Sequence, residues 1–227
     1  SLAAFMAQQE SGVWYQLNDP SGLFKTGGIQ EPVTALGDVI GRANNLRSGG
    51  GNPASQTTNS FRPTYQAEGA KFDGLDDRLE TAYAAGAGAN FIVAALTVPA
   101  ALGTTEVAAG VFATGAAFFL GVNTSGQACG GVGSRSFTAI FGSTDLRGKS
   151  AVIGISCNGS TVRLFANGVV EYEDTQADAP STLLGFNIGS RNSNGTSQLH
   201  SAGTLRAVVA GRQMLDLALF KQIANAL

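Results

Sequence analysis

Short apolar stretches separated by polar and turn-forming residues run through most of the chain after residue 70, as is typical of buried β-strands. The apolar stretches are rich in aromatic and β-branched residues, and Gly, Asn or Pro bounds them. This pattern predicts strands over 91–98, 106–113, 117–123, 136–141, 151–156, 161–166, 169–174, 183–189 and 204–209. Because no helical pattern separates consecutive strands, we expect antiparallel pairing.

Two Asn-Gly pairs, Asn158-Gly159 and Asn167-Gly168, flank the predicted strand 161–166. Asn-Gly favours a type I′ hairpin turn, because both central residues of that turn need positive φ. The two turns predict a three-stranded antiparallel meander. In its middle strand two sets of side chains alternate: Val162, Leu164 and Ala166 against Thr161, Arg163 and Phe165. The pattern leaves open which face of this strand the core covers.

Helical spacing occurs at both ends of the chain. Leu2, Phe5 and Met6 predict a short helix within 1–11, which Ser1 can cap and Gly12 stops. A partly amphipathic pattern predicts a second helix over 213–227, with apolar positions at Met214, Leu217, Ala218, Phe220 and Leu227 and with Asp216 near its start.

Residues 18–64 are rich in Gly, Asn, Ser, Thr and Pro, and a region of that length indicates a functional loop or short elements that the pattern misses. Together these elements predict one all-β domain over 1–227. It is an antiparallel β-sandwich of the jelly-roll type, with short N-terminal and C-terminal helices.

Composition excludes several classes of protein. The 227 residues are 44% hydrophobic and carry 14 Lys and Arg against 16 Asp and Glu. The apolar share is too high for intrinsic disorder, and the charge balance provides no basic face for nucleic acid. Gly, Pro and Ala interrupt the uncharged runs 83–102 and 107–122, which therefore predict buried strands and no membrane insertion. No secretory signal precedes them, so we expect a soluble protein.

The cysteines and the histidine limit the possible chemistry. Cys129 and Cys157 form no Cys-x-x-Cys pair and predict two buried free thiols, with a single bridge between them as the alternative. His200 is the one histidine, so no histidine pair can hold a catalytic metal. We expect no cofactor.

Several segments carry a family resemblance: Ser1–Phe5, Gly12–Tyr15, Asp19–Ser21, Leu23–Phe24, Glu31–Ala35, Gly37–Gly41, Gln56–Thr57, Arg62–Tyr65, Phe72–Asp77, Val162–Gly168 and Ile188–Arg191. In this order they resemble the concanavalin A-like (laminin-G-type) jelly-roll domains of tailed-bacteriophage structural proteins. The chain departs from that family at Gln16-Leu17-Asn18 and at Asn52-Pro53, which puts any binding role of those positions in doubt.

The resemblance implies a concanavalin A-like jelly roll that is not an enzyme. It implies a virion protein of a tail fibre, tail appendage or particle surface, with other virion proteins as partners and attachment to a host-surface glycan as a further role. It also implies a homotrimer, for which the Gly-rich segment 42–56 is a candidate contact. The alternatives are a capsid decoration protein, a stand-alone carbohydrate-binding module and, last, a polysaccharide-cleaving enzyme.

Three acidic residues, Asp73, Asp76 and Asp77, are the candidate calcium ligands. They lack EF-hand spacing, so we favour a turn in which the carboxylates accept hydrogen bonds from main-chain N–H groups.

Glu171 and Glu173 lie on one face of a predicted strand, and paired carboxylates catalyse glycoside hydrolysis. The strand lacks the Glu-x-Asp-x-x-Glu pattern of such enzymes, so we favour a solvated face.

The remaining candidates are weaker. His200 and Ser201 lack a nucleophile elbow, and the 142–150 loop has five residues between its glycines where a phosphate-binding loop has four. The glycosylation sequons at Asn123, Asn158 and Asn194 are expected by chance. A group of polar loop residues could hydrogen-bond the hydroxyl groups of a sugar: Arg191, Asn192, Asn194, Gln198 and His200. The ring of Trp14 or Tyr15 could stack on the face of a sugar. For Trp14 we favour a place in the core. The sequence assigns no catalytic residue, no metal site and no defined ligand site.

Overall fold

The computed structural model describes residues 2–8, 11–47, 49–112, 116–175 and 184–227, with the backbone alone over 135–139. Two α-helices flank the strands, α1 (Leu2–Ala7) and α2 (Leu217–Ala224), and two 3₁₀ turns cover Pro20–Gly22 and Asn59–Phe61. The strands are β1 (Gly12–Gln16), β2 (Leu23–Phe24), β3 (Arg42–Ala43), β4 (Ala54–Ser55), β5 (Thr64–Gln66), β6 (Gly69–Lys71), β7 (Leu79–Glu80), β8 (Asn90–Thr97), β9 (Glu106–Phe112), β10 (Ala117–Val122), β11 (Ala128–Gly133), β12 (Arg135–Phe141), β13 (Ser150–Cys157), β14 (Val162–Ala166), β15 (Val169–Asp174), β16 (Asn187–Ile188), β17 (Arg191–Ser193), β18 (Thr196–Gln198) and β19 (Thr204–Gly211).

The strands form two sheets that pack face to face. Sheet A has the order β15-β14-β13-β8-β19-β6-β5, with β1 also paired to β19. Sheet B has the order β12-β11-β10-β9-β16-β7-β4-β3-β2, and the β17–β18 hairpin joins it at β9. The pairs are antiparallel apart from β17 with β9. The predicted antiparallel β-sandwich is confirmed.

The outer face of sheet A is buried as well, because helices α1 and α2 lie across it. Val162, Leu164 and Ala166 of β14 face the core between the sheets, whereas Phe165 faces the helices. There the Phe165 ring stacks on Phe220 of α2 with 4.7 Å between ring centroids. Both faces of β14 are therefore apolar, which explains why its sequence pattern left the inward side open.

Both helices are shorter than predicted. The chain has left helix α1 by Gly12, where β1 pairs with β19; Ser1 and residues 9–10 of the predicted helix lie outside the described residues. Helix α2 begins after Asp216, whose side chain accepts a hydrogen bond from the main-chain N–H of Leu219. Residues 213–216 lie outside the helix, which therefore begins four residues later than predicted. The start is at Leu217 because the Asp216 side chain caps the first turn.

Several strand predictions need correction. The region 18–64 contains β2, β3 and β4, whose two-residue length hides any alternation. Residue 183 of the predicted strand 183–189 lies outside the described residues, and only β16 forms in the rest of that range. The main chain of Phe186 instead donates to the Tyr83 carbonyl and accepts from the Thr81 N–H outside any strand. Strand β11 was missed because it is rich in glycine; an added Cβ on its Gly130 would lie 2.4 Å from Ile155 Cδ1.

The two Asn-Gly pairs form different turns. Asn167 and Gly168 have φ values of 47° and 81°, as a type I′ turn requires. At the other pair only Gly159 has positive φ, and Asn158 Oδ1 accepts from the main-chain N–H groups of Ser160 and Thr161. The side chain thus supports a longer loop, and the predicted meander of β13, β14 and β15 still forms.

Cys129 and Cys157 are buried free thiols, as predicted. Burial raises the pKa of Cys157 to about 12, so the thiol stays protonated. None of the helices in the described part of the chain is long and apolar enough to cross a lipid bilayer.

Candidate functional site

A row of residues crosses the outer face of sheet B. Strand register places Glu80 of β7 beside Ser55 of β4 on one side and Asn187 of β16 on the other. Because side chains alternate along a strand, the neighbours Leu79 and Ile188 enter the core. Glu80 and Asn187 therefore face away from the core, side by side.

The β17–β18 hairpin forms a wall beside this row. Its turn residues, Asn194 and Gly195, have φ values of 50° and 87°, the conformation of a type I′ turn. Asn187 Nδ2 donates to Ser190 Oγ (3.1 Å) and to Ser197 Oγ (3.2 Å), which ties the wall to the sheet. Asn192 Nδ2 adds a bond to the Gly185 carbonyl at 2.8 Å.

Sheet and hairpin enclose a pocket of about 190 Å³. Its lining residues are Arg78, Glu80, Thr81, Ala82, Gly185, Phe186, Asn187, Asn192, Gly195 and Ser197. Pockets that enclose drug-sized ligands measure roughly 300–1,000 Å³. This pocket therefore suits one small polar ring, with the rest of a larger ligand outside it.

Arg78 and Glu80 form the charged side of the pocket. Arg78 Nε lies 2.8 Å from Glu80 Oε1, and Arg78 Nη1 donates to the Asp76 carbonyl at 3.2 Å. The guanidinium also lies over the Phe61 ring, 4.6 Å from its centroid. Its orientation is therefore set from three sides, whereas the Glu80 side chain remains 54% exposed.

Hydrogen bonds from buried groups hold the back of the pocket. Thr81 Oγ1 accepts from the Tyr15 hydroxyl at 2.8 Å and from the main-chain N–H of Tyr83 at 3.2 Å. Tyr15 is fully buried, and burial raises the pKa of its hydroxyl, so it remains a neutral donor. This support holds Thr81 in place behind the pocket.

Several polar atoms remain for a ligand. Both Nδ2 protons of Asn187 are used within the protein, which leaves its Oδ1 as an acceptor. Among the described residues Glu80 is bonded only to Arg78, through Oε1, and Asn192 has a second Nδ2 proton that bonds to none of them. Such an arrangement of closely spaced donors and acceptors matches the hydroxyl groups of a polyol.

Of the predicted sugar-contacting residues, Asn192 lines the pocket. Arg191 and Gln198 lie on the other side of the hairpin, where they bond to each other at 2.9 Å and Arg191 stacks on Phe112. Asn194 forms the hairpin turn, and His200 lies 3.4 Å from the Asp77 carbonyl.

The two aromatic candidates occupy other places. Trp14 is half-buried and packs against the apolar cluster between sheet A and the two helices, so it reaches the favoured core only in part. Tyr15 is buried between the sheets and supports Thr81 from behind. Neither ring offers a stacking surface in the pocket, whose lining includes neither residue.

Glu171 and Glu173 do not act as a pair. A bulge in the pairing of β14 with β15 leaves Glu171 without an opposite residue, and its carboxylate accepts from Ser143 and Thr144. Glu173 instead bonds to Arg163, with 3.0 Å between Oε2 and Nε. The 142–150 loop thus provides the hydrogen-bond donors for Glu171. Spacing along a regular strand predicted Glu171 and Glu173 on one face of the sheet, and the bulge at Glu171 breaks that spacing.

The acidic turn forms as predicted. Asp73 Oδ1 accepts from the main-chain N–H groups of Leu75, Asp76 and Asp77, and Asp77 Oδ2 accepts from that of Asp73. Ligand atoms of the three acids lie within 4.8 Å of one another. Burial, with the nearby Asp73 charge, raises the pKa of Asp77 to about 6.

His200 and Ser201 do not face each other as a catalytic pair. Ser201 Oγ donates to Glu106 Oε2 at 3.3 Å, and the Ala202 N–H donates to the same oxygen at 3.0 Å. Burial raises the pKa of Glu106. This carboxylate is therefore used to hold the segment that leads into β19.

The sequence patterns above do not identify Arg78, Glu80, Asn187 and Ser197 as site residues. One signal for them is Asn194-Gly195, which is a third Asn-Gly pair as well as part of a glycosylation sequon. Read as a hairpin turn, it predicts the wall of the pocket. The strands that carry Glu80 and Asn187 have two residues each, and no periodicity reveals them.

Comparisons with solved structures find the same fold. A Trypanosoma rangeli sialidase matches with a TM-score of 0.59 at 14% identity, over 96% of this chain and 33% of the sialidase chain. A variant of a GH54 α-L-arabinofuranosidase, soaked with 4-nitrophenyl α-L-arabinofuranoside, matches with a TM-score of 0.58 at 13% identity, over 83% of this chain and 51% of its own. The CBM40 of Ruminococcus gnavus IT-sialidase, bound to α2,3 sialyllactose, matches with a TM-score of 0.49 at 17% identity, over 60% of this chain and 83% of the CBM40 chain.

No protein-family model matches the chain, and no curated protein matches its sequence. At the identities above, the likeness concerns the β-sandwich fold alone. The chain spans about a third of the sialidase and half of the arabinofuranosidase, so it corresponds to part of each.

Two expectations are corrected here. The main functional prediction, a non-enzymatic bacteriophage virion protein, is wrong on these findings, and so is the prediction that the chain is not an enzyme. The neighbours named above with TM-scores over 0.5 are a sialidase and an arabinofuranosidase, and neither is a phage protein. The physical reason is that this sandwich carries many unrelated sites, so a resemblance of fold could not determine function. Trimer formation and virion partners gain no support; the segment resemblance and the virion location stay predictions.

Proposed function

We propose that this protein binds a glycan through the pocket on the outer face of sheet B. The observation that carries the proposal is the set of uncommitted polar atoms there: Asn187 Oδ1, the second Glu80 oxygen and an Asn192 amide proton. A sugar ring presents hydroxyl groups that both donate and accept, so one ring can use all three. The carbohydrate-active neighbours of the same fold support this choice of ligand class.

The test compares two variants with the same chemical change. Glu80→Gln removes a carboxylate from the pocket, and Glu173→Gln removes one from β15; each acid pairs with an arginine in the wild type. A hydrogen bond to a charged group contributes about 1.5–3 kcal/mol, so Glu80→Gln should weaken glycan binding by roughly tenfold or more. The Glu173→Gln variant should bind as the wild type does.

The measurement is retention on a glycan array followed by calorimetric titration of the retained sugars. Absence of retention for the folded wild type would overturn the proposal. Equal affinity of the wild type, Glu80→Gln and Glu173→Gln would place the binding site elsewhere.

Cleavage of the bound glycan is the second candidate function, favoured by the two glycosidases among the neighbours. Glycosidases use two carboxyl groups, roughly 5–9.5 Å apart. Glu80 lines the pocket, and Asp76, whose carbonyl bonds to Arg78, lies four residues earlier in the chain. Release of reducing ends that is lost in both Glu80→Gln and Asp76→Asn, and kept in Glu173→Gln, would support hydrolysis.

A further inference from the structure

The charges that face the pocket compensate each other. Arg78 and Glu80 are the charged residues in its lining, and they form an ion pair with 2.8 Å between Nε and Oε1. The guanidinium also donates to the Asp76 carbonyl and rests on Phe61. Its charge is thus shared with a carboxylate, and its position leaves little freedom to turn toward a ligand.

Two further arginines, Arg42 and Arg62, also donate hydrogen bonds within the protein. Arg42 lies on β3, two strands from Glu80, or about 10 Å at the usual spacing of strands. Its Nε donates to Asn44 Oδ1. Arg62 donates from three nitrogens to Gln56 O, Thr57 O and Asn59 Oδ1. Neither arginine lines the pocket.

The exposed group of the ion pair is the acid. Glu80 retains 54% of its side-chain exposure, whereas Arg78 retains 17%. A ligand that enters the pocket therefore meets a carboxylate with a free oxygen before it meets the guanidinium. A hydroxyl can donate to that oxygen, whereas a ligand carboxylate would be repelled by it.

We infer that the pocket takes a neutral sugar and discriminates against a sugar that carries a carboxylate. This inference rests on the proposed function and adds the charge class of the ligand. It separates the chain from its fold neighbour bound to sialyllactose, whose ligand is an acidic sugar. The difference follows from the Arg78–Glu80 pair, since an unpaired arginine in the same place would favour the acidic sugar.

The experiment measures affinity for matched sugar pairs that differ only at C6. The probes are methyl β-D-galactopyranoside with methyl β-D-galacturonide, and methyl β-D-glucopyranoside with methyl β-D-glucuronide, at pH 7 and at two salt concentrations. For the wild type we expect each acid to bind about tenfold more weakly or worse, with a smaller difference at high salt. Equal or tighter binding of the acids would overturn the inference.

Two variants sharpen the result. Glu80→Gln leaves the Arg78 guanidinium without its carboxylate. The ratio of neutral-sugar affinity to acidic-sugar affinity should therefore fall by about tenfold or invert, while the affinity for neutral sugars itself decreases. Glu173→Gln, which loses its own ion pair outside the pocket, should keep the wild-type discrimination. An unchanged ratio in Glu80→Gln would overturn the inference while the proposed function stands. Binding of none of the four sugars, with no retention on the glycan array, would overturn both.

Discussion

Helix α2 covers the outer face of sheet A, and Phe220 is its central contact. The ring is fully buried and stacks on Phe165 at an angle of 12° between the ring planes. It also fills the space above Gly154, where an added Cβ would lie 2.8 Å from Phe220 Cε2. Phe220→Ala therefore leaves a cavity between helix and sheet.

The expected loss follows from that burial. Replacing a core Phe with Ala costs about 3–5 kcal/mol, of which an aromatic pair accounts for roughly 0.5–1.5 kcal/mol. In a domain of this size each kcal/mol lowers Tm by about 2–4 °C. We therefore expect Tm to fall by about 6–20 °C.

The assays are thermal unfolding, which gives Tm, and urea unfolding, which gives the free energy of unfolding. Both follow the fluorescence of Trp14, the one tryptophan, which packs against the same cluster. Gln222→Ala is the control, because Gln222 is exposed on the same helix. Its effect should stay within about 0.5 kcal/mol. A loss below about 1 kcal/mol for Phe220→Ala, or one no larger than that of the control, would refute the packing of α2 described here.

A double-mutant cycle with Gly154 tests the same contact independently. Gly154→Ala alone should cost about 1–3 kcal/mol, because the added methyl group overlaps the Phe220 ring. In the Phe220→Ala background the overlap is absent, and the same change should be close to neutral. Additive effects of the two substitutions would mean that these positions do not touch.

Three further predictions concern the turns and the titrating groups. The pKa of Asp77 is about 6 in the folded protein, above its unfolded value of about 4, so the folded state binds the extra proton and stability falls as pH rises from 4 to 6. Asp77→Asn should remove that fall, which urea titrations at pH 4, 5 and 7 measure; a fall of the same size in the variant would assign it to another group. Gly189 has φ of 78°, and an added Cβ would lie 2.1 Å from Phe72 Cε1, so Gly189→Ala should cost about 3 kcal/mol or more in the same assay. A cost near zero would contradict this packing. Burial opposes ionisation of Glu171, but the hydrogen bonds from Thr144 and Ser143 outweigh it and lower its pKa. Glu171→Gln should therefore cost about 1 kcal/mol and leave glycan affinity unchanged in calorimetry; a loss of affinity would mean that this acid takes part in glycan binding.

Much of the sandwich could be predicted from the sequence, because a long strand shows a run of apolar residues that is visible without knowledge of its partners. The runs that became β8, β9 and β10 are apolar at almost every position, and that apolar character predicted burial before any pairing was known. The acidic turn was also predictable, since Asp73 bonds to amides only two to four residues away. Local chemistry of this kind depends on residues that are neighbours in the chain.

The pocket was not predictable in the same way. Glu80 and Asn187 are far apart in the chain and meet only because β7 pairs with β16. Neither strand is longer than two residues, so neither shows a period. The place of Tyr15 behind Thr81 likewise depends on a contact between distant segments.

The sequence by itself determined the β class, the antiparallel meander, the two terminal helices and the buried thiols. Each of these depends on periodicity, turn chemistry or composition within a short stretch of chain. Only the tertiary structure decided which face of β14 meets the helices, where the Glu171 bulge turns its carboxylate, and that Arg78, Glu80, Asn187 and Asn192 line one pocket. These depend on register between strands that are remote in sequence, and register is set by the whole core rather than by any one segment.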